Sequence, residues 1–143
     1  MNRLYGLIGF PLGHSFSARY FTEKFQRENL SGYEYRNFPL ESIRELPAML
    51  ENHPGLLGFN VTIPYKQEVI PSLTALSAEA REIGAVNCVK ITPQGLYGHN
   101  TDAYGFRKSL LGLIGPMRPD ALILGTGGAS KAVGYVLREL GIA

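Results

Sequence analysis

The stretch Gly55-Leu-Leu-Gly-Phe-Asn-Val-Thr-Ile-Pro-Tyr-Lys66 carries an apolar strand signal that ends in polar residues. Pro64 closes the strand because proline cannot donate a hydrogen bond to a neighbouring strand. Asn60 and Thr62 are two residues apart, so a strand places both side chains on one face. A solvated lysine is the commoner outcome for Lys66, but together these residues indicate a candidate binding surface where the strand ends.

Strand and helix signals alternate on both sides of this stretch. Residues 4–9 and 33–38 are predicted strands, and residues 17–29 between them are a predicted helix with apolar residues at i, i+4 spacing. Helical spacing continues over residues 43–50, where Pro47 predicts a division into two short pieces. Alternation of this kind predicts an α/β architecture.

The second half of the chain continues the pattern. The predicted elements are short helices over residues 66–70 and 78–83, a hairpin of strands 85–92 and 96–100, a helix beginning at Thr101 or Asp102, a strand over 121–124 that is buried on both faces, and a helix after it. A loop rich in glycine and proline, residues 112–120, marks a boundary within this half.

The composition excludes several classes of protein. The 14 basic and 12 acidic residues give a net charge of +2 with no run of like charge, so neither nucleic acid nor a membrane surface is an indicated partner. No apolar run reaches the ~18 residues of a membrane span. The single Cys88 cannot form an internal disulfide, which predicts a cytoplasmic protein. His14, His53 and His99 lie too far apart along the chain to predict a metal site.

Gly125-Thr-Gly-Gly-Ala-Ser130 lies between the last predicted strand and helix. A glycine turn at a helix N-terminus presents backbone N–H groups and a positive dipole end, which suit a phosphate. Gly125 permits the tight turn, and Gly127 lets a pyrophosphate approach the backbone. The third position of the dinucleotide fingerprint holds Ser130, so the motif alone also fits a helix start without a ligand.

Two further turns carry polar side chains. Ser15 and Ser17 lie where a loop meets a helix, and their hydroxyls with nearby backbone amides suit a small carboxylate. A plain helix cap accounts for one of these serines but not for both. Asp102 ends a polar run after another predicted strand, where helix capping is the simpler explanation.

Five motifs follow one another along the chain: Gly9-Phe-Pro-Leu-Gly-His-Ser-Phe-Ser17, Gly58-Phe-Asn-Val-Thr-Ile-Pro-Tyr-Lys66, Gly84-Ala-Val-Asn87, Asn100-Thr-Asp-Ala-Tyr-Gly-Phe106 and Gly125-Thr-Gly-Gly-Ala-Ser130. In content and order they resemble the shikimate dehydrogenases, over nearly the whole chain. The resemblance implies a mixed-sheet α/β substrate-binding domain over residues 1–101. It also implies that residues 102–143 hold a linking helix and the beginning of a Rossmann-type nucleotide-binding domain, with the site in the cleft between the two.

The resemblance also implies roles for individual residues. Lys66 and Asp102 form the catalytic pair, and which of them is the formal acid or base stays open. Ser15 and Ser17 hold the substrate carboxylate, whereas the ring hydroxyls contact Asn60, Thr62, Asn87 and Asp102. The cofactor-binding residues are Gly125, Thr126, Gly127, Gly128 and Ala129.

The implied reaction is the reversible reduction of 3-dehydroshikimate to shikimate, with NADPH as the hydride donor, in the biosynthesis of chorismate and the aromatic amino acids. A lysine ammonium suits this chemistry because it can stabilise and protonate the developing oxyanion. Two alternatives stay open: a dehydrogenase that acts also or mainly on quinate, and a non-catalytic module that binds shikimate.

By this resemblance the chain is part of a longer family member. We therefore expect strand 121–124 to lack parallel neighbours and to expose apolar surface, which self-association as a homodimer would cover. The isolated chain is expected to bind shikimate weakly, to bind NADP hardly at all and to show no turnover. The choice of NADP over NAD follows from the resemblance alone.

Overall fold

Residues 3–13 and 15–142 are described in the computed structural model of the chain. They form a mixed sheet whose strands are β1 (Arg3–Gly9), β2 (Tyr33–Pro39), β3 (Leu56–Val61), β4 (Ala75–Leu76), β5 (Cys88–Thr92) and β6 (Gly95–His99). The spatial order is β2-β1-β3-β5-β6-β4. β1 runs parallel to β2 and β3, β4 runs parallel to β6, and β5 runs antiparallel to both of its neighbours. The predicted fold class is confirmed.

The helices of the described residues are α1 (Ser17–Arg27), α2 (Leu46–Asn52), α3 (Ala78–Ile83), α4 (Asp102–Ile114) and α5 (Gly128–Glu139). Within the same part of the chain, no helix has the length and apolar character needed to cross a membrane. His14, one of the histidines behind the prediction of no metal site, lies outside the described residues.

Most predicted elements are present, with ends that differ by a few residues. Pro47 lies in the first turn of α2, and a 3-10 turn over Ile43–Glu45 precedes it, so the two predicted short pieces are confirmed. The predicted helix over residues 66–70 is wrong, because residues 66–69 form turns that lead into a 3-10 helix at Ile70–Ser72. This segment lies between two prolines, Pro64 and Pro71, and is too short for a stable α-helix.

Both faces of the sheet are covered by helices. One face packs against α2 and α3 through a core that includes Ile8, Leu46, Phe59, Val61 and Ala80. The other face lies under α1, where the contacts join Leu7, Leu12 and Tyr35 to Phe21 and Phe25. A third cluster packs α5 against α3 and α4 and contains Ile83, Ala103, Ala132 and Val136.

Residues 121–124 do not form the predicted buried strand. Leu122 is 84% exposed and Leu124 is 87% exposed. A strand buried on both faces requires ladder partners on each side, and the sheet formed by the described residues places no strand beside this segment. The prediction is wrong because an apolar run specifies a buried strand only where neighbouring strands exist, although the expected apolar exposure is present.

Candidate active site

The carboxyl ends of β3 and β6 lie at one edge of the sheet, next to the amino end of β5. The antiparallel pairing of β5 with both neighbours causes this arrangement, since Cys88 lies opposite Asn60 on one side and opposite His99 on the other. The loops that follow β3, precede β5 and follow β6 therefore meet at this edge. They carry three of the predicted site residues, Lys66, Asn87 and Asp102.

Lys66 and Asp102 form an ion pair at this edge. Lys66 Nζ lies 2.6 Å from Asp102 Oδ2, and the two side chains are 16% and 32% exposed. A charge-assisted hydrogen bond in this partly buried setting is stronger than an ion pair on the open surface. The pair is thus ordered and still open to contact by a small molecule.

Asn87 holds the second oxygen of the Asp102 carboxylate. Its Nδ2 donates to Asp102 Oδ1 at 2.8 Å and to Thr101 Oγ1 at 2.9 Å. Its Oδ1 accepts the backbone N–H of Thr101 at 2.8 Å. Lys66 and Asn87 therefore orient the carboxylate from two sides in the first turn of α4.

The aliphatic stem of Lys66 packs against the first residue of α5. A Cβ placed on Gly128 would lie 2.7 Å from Lys66 Cβ and 3.1 Å from Lys66 Cδ, both inside van der Waals contact. The Lys66 backbone is fixed as well, because the N–H of Val86 donates to Lys66 O at 2.7 Å. The glycine turn is therefore in direct contact with the ion pair, which the sequence did not predict.

Ser15, Ser17 and Thr62 line one cavity of about 410 Å³. Ser17 is the first residue of α1, and its backbone N–H donates to Ser15 Oγ at 3.4 Å. No acidic side chain lies in the first turn of α1, so no like charge opposes an anion at this helix end. The other lining residues are Leu7, Phe10, Pro11, Leu12, Phe16 and Ile63. Two hydroxyls beside a helix N-terminus in a largely apolar cavity suit one carboxylate.

Asn60 is hydrogen bonded at both ends of its amide. The hydroxyl of Tyr35 donates to Asn60 Oδ1 at 2.7 Å, and Asn60 Nδ2 donates to Asn87 O at 3.2 Å. Burial raises the pKa of Tyr35, and the nearby Cys88 adds to the rise. Tyr35 therefore keeps its proton at neutral pH.

The glycine turn forms an open backbone cradle before α5. Gly125 has a φ of +123°, which side chains rarely adopt, and Gly127 is the N-cap residue, with no side-chain cap bond. A Cβ on either of these glycines would meet nothing within 4 Å. Ser130, at the third position of the fingerprint, donates to Gly127 O at 2.7 Å. Backbone N–H groups at a helix N-terminus suit a phosphate, and the predicted cofactor-binding residues Gly125, Thr126, Gly127, Gly128 and Ala129 all lie in this turn or the first residues of α5.

The structure places the predicted substrate and catalytic residues in two groups. Hydrogen bonds connect the first group, which consists of Lys66, Asp102, Asn87 and Asn60. A single cavity holds the second group, Ser15, Ser17 and Thr62. Within the described residues, no three His, Cys, Asp or Glu side chains are grouped so that they could hold a metal ion.

Sequence reasoning missed two residues that support the site. Tyr35 lies between the two groups, because its hydroxyl binds Asn60 and its ring packs in one cluster with Leu7 and Leu12, which line the cavity of the second group. Asn100 is 4% exposed, donates to Ala85 O at 2.9 Å and accepts the N–H of Ala103 at 3.2 Å, which fixes the start of α4. A polar residue directly after a strand was the available signal for Asn100, whereas nothing local marks Tyr35.

Comparison with known proteins identifies the relatives of this chain. Residues 7–89 match the family model described as the shikimate dehydrogenase substrate binding domain. Shikimate dehydrogenase (NADP(+)) of Aquifex aeolicus is 42% identical over 142 residues, which cover 97% of this chain and 52% of the relative. The chain spans about half the length of the curated relatives it matches.

Solved structures share the fold. The shikimate 5-dehydrogenase of Thermus thermophilus in complex with NADP(H) and shikimate has a TM-score of 0.85 at 34% identity, covering 99% of this chain and 54% of the other. The 5-ketofructose reductase of Gluconobacter sp. strain CHM43 has a TM-score of 0.83 at 31% identity, covering 100% of this chain and 52% of the other.

Proposed function

Because this chain belongs to the shikimate dehydrogenase family, we propose that it provides the substrate-binding and proton-transferring part of an NADP-dependent shikimate dehydrogenase. The proposed reaction is the reversible reduction of 3-dehydroshikimate to shikimate, a step in the biosynthesis of chorismate and the aromatic amino acids. The observation that carries the proposal is the 2.6 Å contact between Lys66 Nζ and Asp102 Oδ2, with Asn87 on the other carboxylate oxygen.

The substrate carboxylate is assigned to the cavity beside α1. Ser15 and Ser17 offer two hydroxyl donors there, and the N-terminus of α1 favours a negative charge. Lys66, the cation among the predicted site residues, pairs with Asp102 instead. The carboxylate therefore binds through neutral donors, which orient the ring without drawing the lysine away from the reacting oxygen.

The ring hydroxyls are assigned to Asn60, Thr62, Asn87 and Asp102. Asn87 uses one of its two side-chain N–H bonds on Asp102 and the other on the hydroxyl of Thr101. A substrate hydroxyl can replace Thr101 without disturbing the bond to Asp102. Asn87 can thus bind the substrate while it continues to orient the carboxylate.

Proton transfer is assigned to Lys66 and Asp102. Reduction of a ketone places negative charge on the carbonyl oxygen, which must then take up a proton. The Lys66 ammonium stabilises that charge, and the pair delivers the proton, while Asp102 keeps the ammonium in place. In the reverse direction the pair removes the proton from the hydroxyl that is oxidised.

The cofactor site is assigned to the glycine turn. Gly125, Thr126, Gly127, Gly128 and Ala129 would hold the pyrophosphate through backbone N–H groups at the N-terminus of α5. NADPH supplies a hydride when bound, and the relatives named as NADP(+) enzymes support NADP as the cofactor. We assign residues 1–101 to the substrate-binding domain and 102–143 to the beginning of the nucleotide-binding domain.

We also propose a cytoplasmic homodimer. The single Cys88 suits a reducing compartment because it has no second cysteine to pair with. The exposed side chains of Leu113, Leu122 and Leu124 support self-association, since large apolar side chains are rarely left exposed together. Sedimentation velocity at several concentrations, on both the 143-residue chain and the intact gene product, measures self-association, and monomers at every concentration would contradict the dimer.

The activity is tested on the intact gene product that carries these residues. Absorbance of the reduced nicotinamide is followed first with shikimate and NADP⁺. The assay is then repeated with quinate in place of shikimate, with NAD⁺ in place of NADP⁺, and with 5-ketofructose and NADPH. We expect the highest kcat/KM for shikimate with NADP⁺. The Lys66→Ala variant serves as the matched inactive control, because it removes the proton donor and leaves the cavity beside α1 intact.

The other outcomes of this assay distinguish the alternatives. A higher kcat/KM for quinate would identify quinate, not shikimate, as the main substrate. Reduction of 5-ketofructose alone would identify the enzyme as a 5-ketofructose reductase. Calorimetric binding of shikimate without turnover on any substrate would identify a non-catalytic binding module. A folded protein that neither binds nor oxidises shikimate would refute the proposal.

A further inference from the structure

The ring of Tyr35 is held rigidly between the sheet and α1. Tyr35 lies in β2 opposite Tyr5 of β1, is 8% exposed, and stacks on Phe21 of α1 with centroids 4.5 Å apart and an interplanar angle of 13°. Its hydroxyl reaches across β1 to Asn60 on β3. A buried ring that stacks on a neighbouring ring holds its hydroxyl in one position, so that only the O–H bond can rotate.

The bonds around Asn60 determine which amide atom faces which partner. Asn87 O can only accept, so the Nδ2 of Asn60 must lie on that side. The Oδ1 of Asn60 then faces the hydroxyl of Tyr35, which donates to it at 2.7 Å. With one N–H on Asn87 and the oxygen on Tyr35, the second N–H of Asn60 is the donor that remains for a substrate hydroxyl.

Tyr35 also packs beside the cavity next to α1. It shares a buried cluster with Leu7 and Leu12, which line that cavity, and its ring stacks on Phe21, one turn after Ser17 in α1. Burial raises the pKa of Tyr35, so the hydroxyl stays a donor at neutral pH. The ring thus lies next to the assigned carboxylate site while its hydroxyl binds Asn60 of the assigned hydroxyl site.

We infer that Tyr35 is a positioning residue: it holds the Asn60 amide so that an N–H faces the substrate. This inference rests on the function proposed above. It assigns to Tyr35 a role in presenting the Asn60 amide to a hydroxyl of the substrate ring. The residue acts through Asn60 and needs no contact with the reacting atoms.

The test compares Tyr35→Phe with Tyr33→Phe in the intact gene product. Tyr33 lies on the same strand and the same face, but its hydroxyl contacts Arg3, away from the site. Loss of one hydrogen bond should raise the KM for shikimate about fivefold in Tyr35→Phe, with kcat within about twofold of the unmodified protein. Tyr33→Phe should leave both constants unchanged.

A double variant separates positioning from a general effect on structure. If Tyr35 acts through Asn60, Tyr35→Phe should have no further effect on KM in an Asn60→Ala background. An equal rise in KM in both backgrounds, or no rise in either, overturns the inference.

A spectroscopic readout decides the inference even if the protein has no activity on shikimate. In ¹⁵N-labelled protein, the side-chain amide signals of Asn60 should shift in Tyr35→Phe and lose the slow exchange of the N–H bound to Asn87, whereas Tyr33→Phe should preserve both. Unchanged Asn60 signals in Tyr35→Phe overturn the inference. Absence of shikimate binding by the unmodified protein, together with shifted Asn60 signals, would refute the proposed function and keep the positioning role.

Discussion

Replacing Gly128 with alanine tests the contact between α5 and Lys66. The new Cβ would lie 2.7 Å from Lys66 Cβ, about 1 Å inside the usual separation of two carbon atoms. Lys66 Cβ is attached directly to the backbone and cannot move by side-chain rotation, and the Lys66 carbonyl is hydrogen bonded to the N–H of Val86. We therefore expect an overpacking cost of roughly 1–3 kcal/mol in the free energy of unfolding.

The same overlap should displace the Lys66 ammonium from Asp102. A shift of about 1 Å in a catalytic group lowers a rate on the order of 10²-fold, so we expect a loss of that size in kcat, measured at saturating NADP⁺ so that weaker cofactor binding does not contribute. Stability is measured by urea denaturation and activity by shikimate oxidation, both on the intact gene product.

Gly134→Ala is the matched control because it adds the same methyl group to the same helix. A Cβ there would lie 3.6 Å from Ile123 Cδ1, an ordinary contact, and alanine in a helix interior stabilises by roughly 0.5–1 kcal/mol relative to glycine. If Gly128→Ala were as stable as Gly134→Ala, the close packing on Lys66 would be refuted. A destabilised Gly128→Ala protein with unchanged kcat would refute the link between this packing and proton transfer.

Three further predictions concern single side chains. Lys66→Ala and Asp102→Asn should each lower kcat by roughly 10²–10⁴. The double variant should lose far less than the product of the two single losses, because the two groups act as a unit. Steady-state kinetics measure these losses, and multiplicative losses would contradict the prediction. Ser15→Ala should raise the KM for shikimate more than it lowers kcat, since the carboxylate is remote from hydride transfer; an equal change in both would count against that assignment. Burial raises the pKa of the Cys88 thiol, so at about pH 8 iodoacetamide should alkylate the folded protein more slowly than the urea-unfolded protein. The difference in rate should shrink as the pH rises through the raised pKa. Mass spectrometry follows the alkylation, and equal rates at about pH 8 would refute the prediction.

Local signals were sufficient to predict most of the fold. The strands β1 and β3 follow from short apolar runs, and the hairpin of β5 and β6 follows from the turn residues around Pro93. The residue patterns that mark these elements are local, although β1 and β3 pair with each other across about 50 residues. The exposed segment 121–124 shows the limit, because whether an apolar run becomes a strand depends on partners that its own sequence does not specify.

The candidate site depended far more on distant contacts. Lys66 and Asp102 are 36 residues apart, and Tyr35 and Asn60 are 25 apart. No periodicity connects such pairs, because the pairing of β5 between β3 and β6 decides which loops meet. The order of family motifs pointed to Lys66 and Asp102, whereas Tyr35 and the contact of Gly128 with Lys66 required the folded chain.

The start of α5 contacts Lys66, so the assigned cofactor turn and the assigned Lys66–Asp102 pair are neighbours. Asp102 begins α4, Gly128 begins α5, and both lie against Lys66. The two helices are held together farther along by Arg107 of α4, which contacts Glu139 of α5 and lies 3.7 Å from Glu79 of α3. Since Gly128 packs closely on the lysine stem, a displacement of α5 towards Lys66 would press on that stem. Under the proposed function, a nucleotide held at the N-terminus of α5 would therefore lie in the same packing unit as Lys66, which suits the delivery of a hydride and a proton to one carbonyl group.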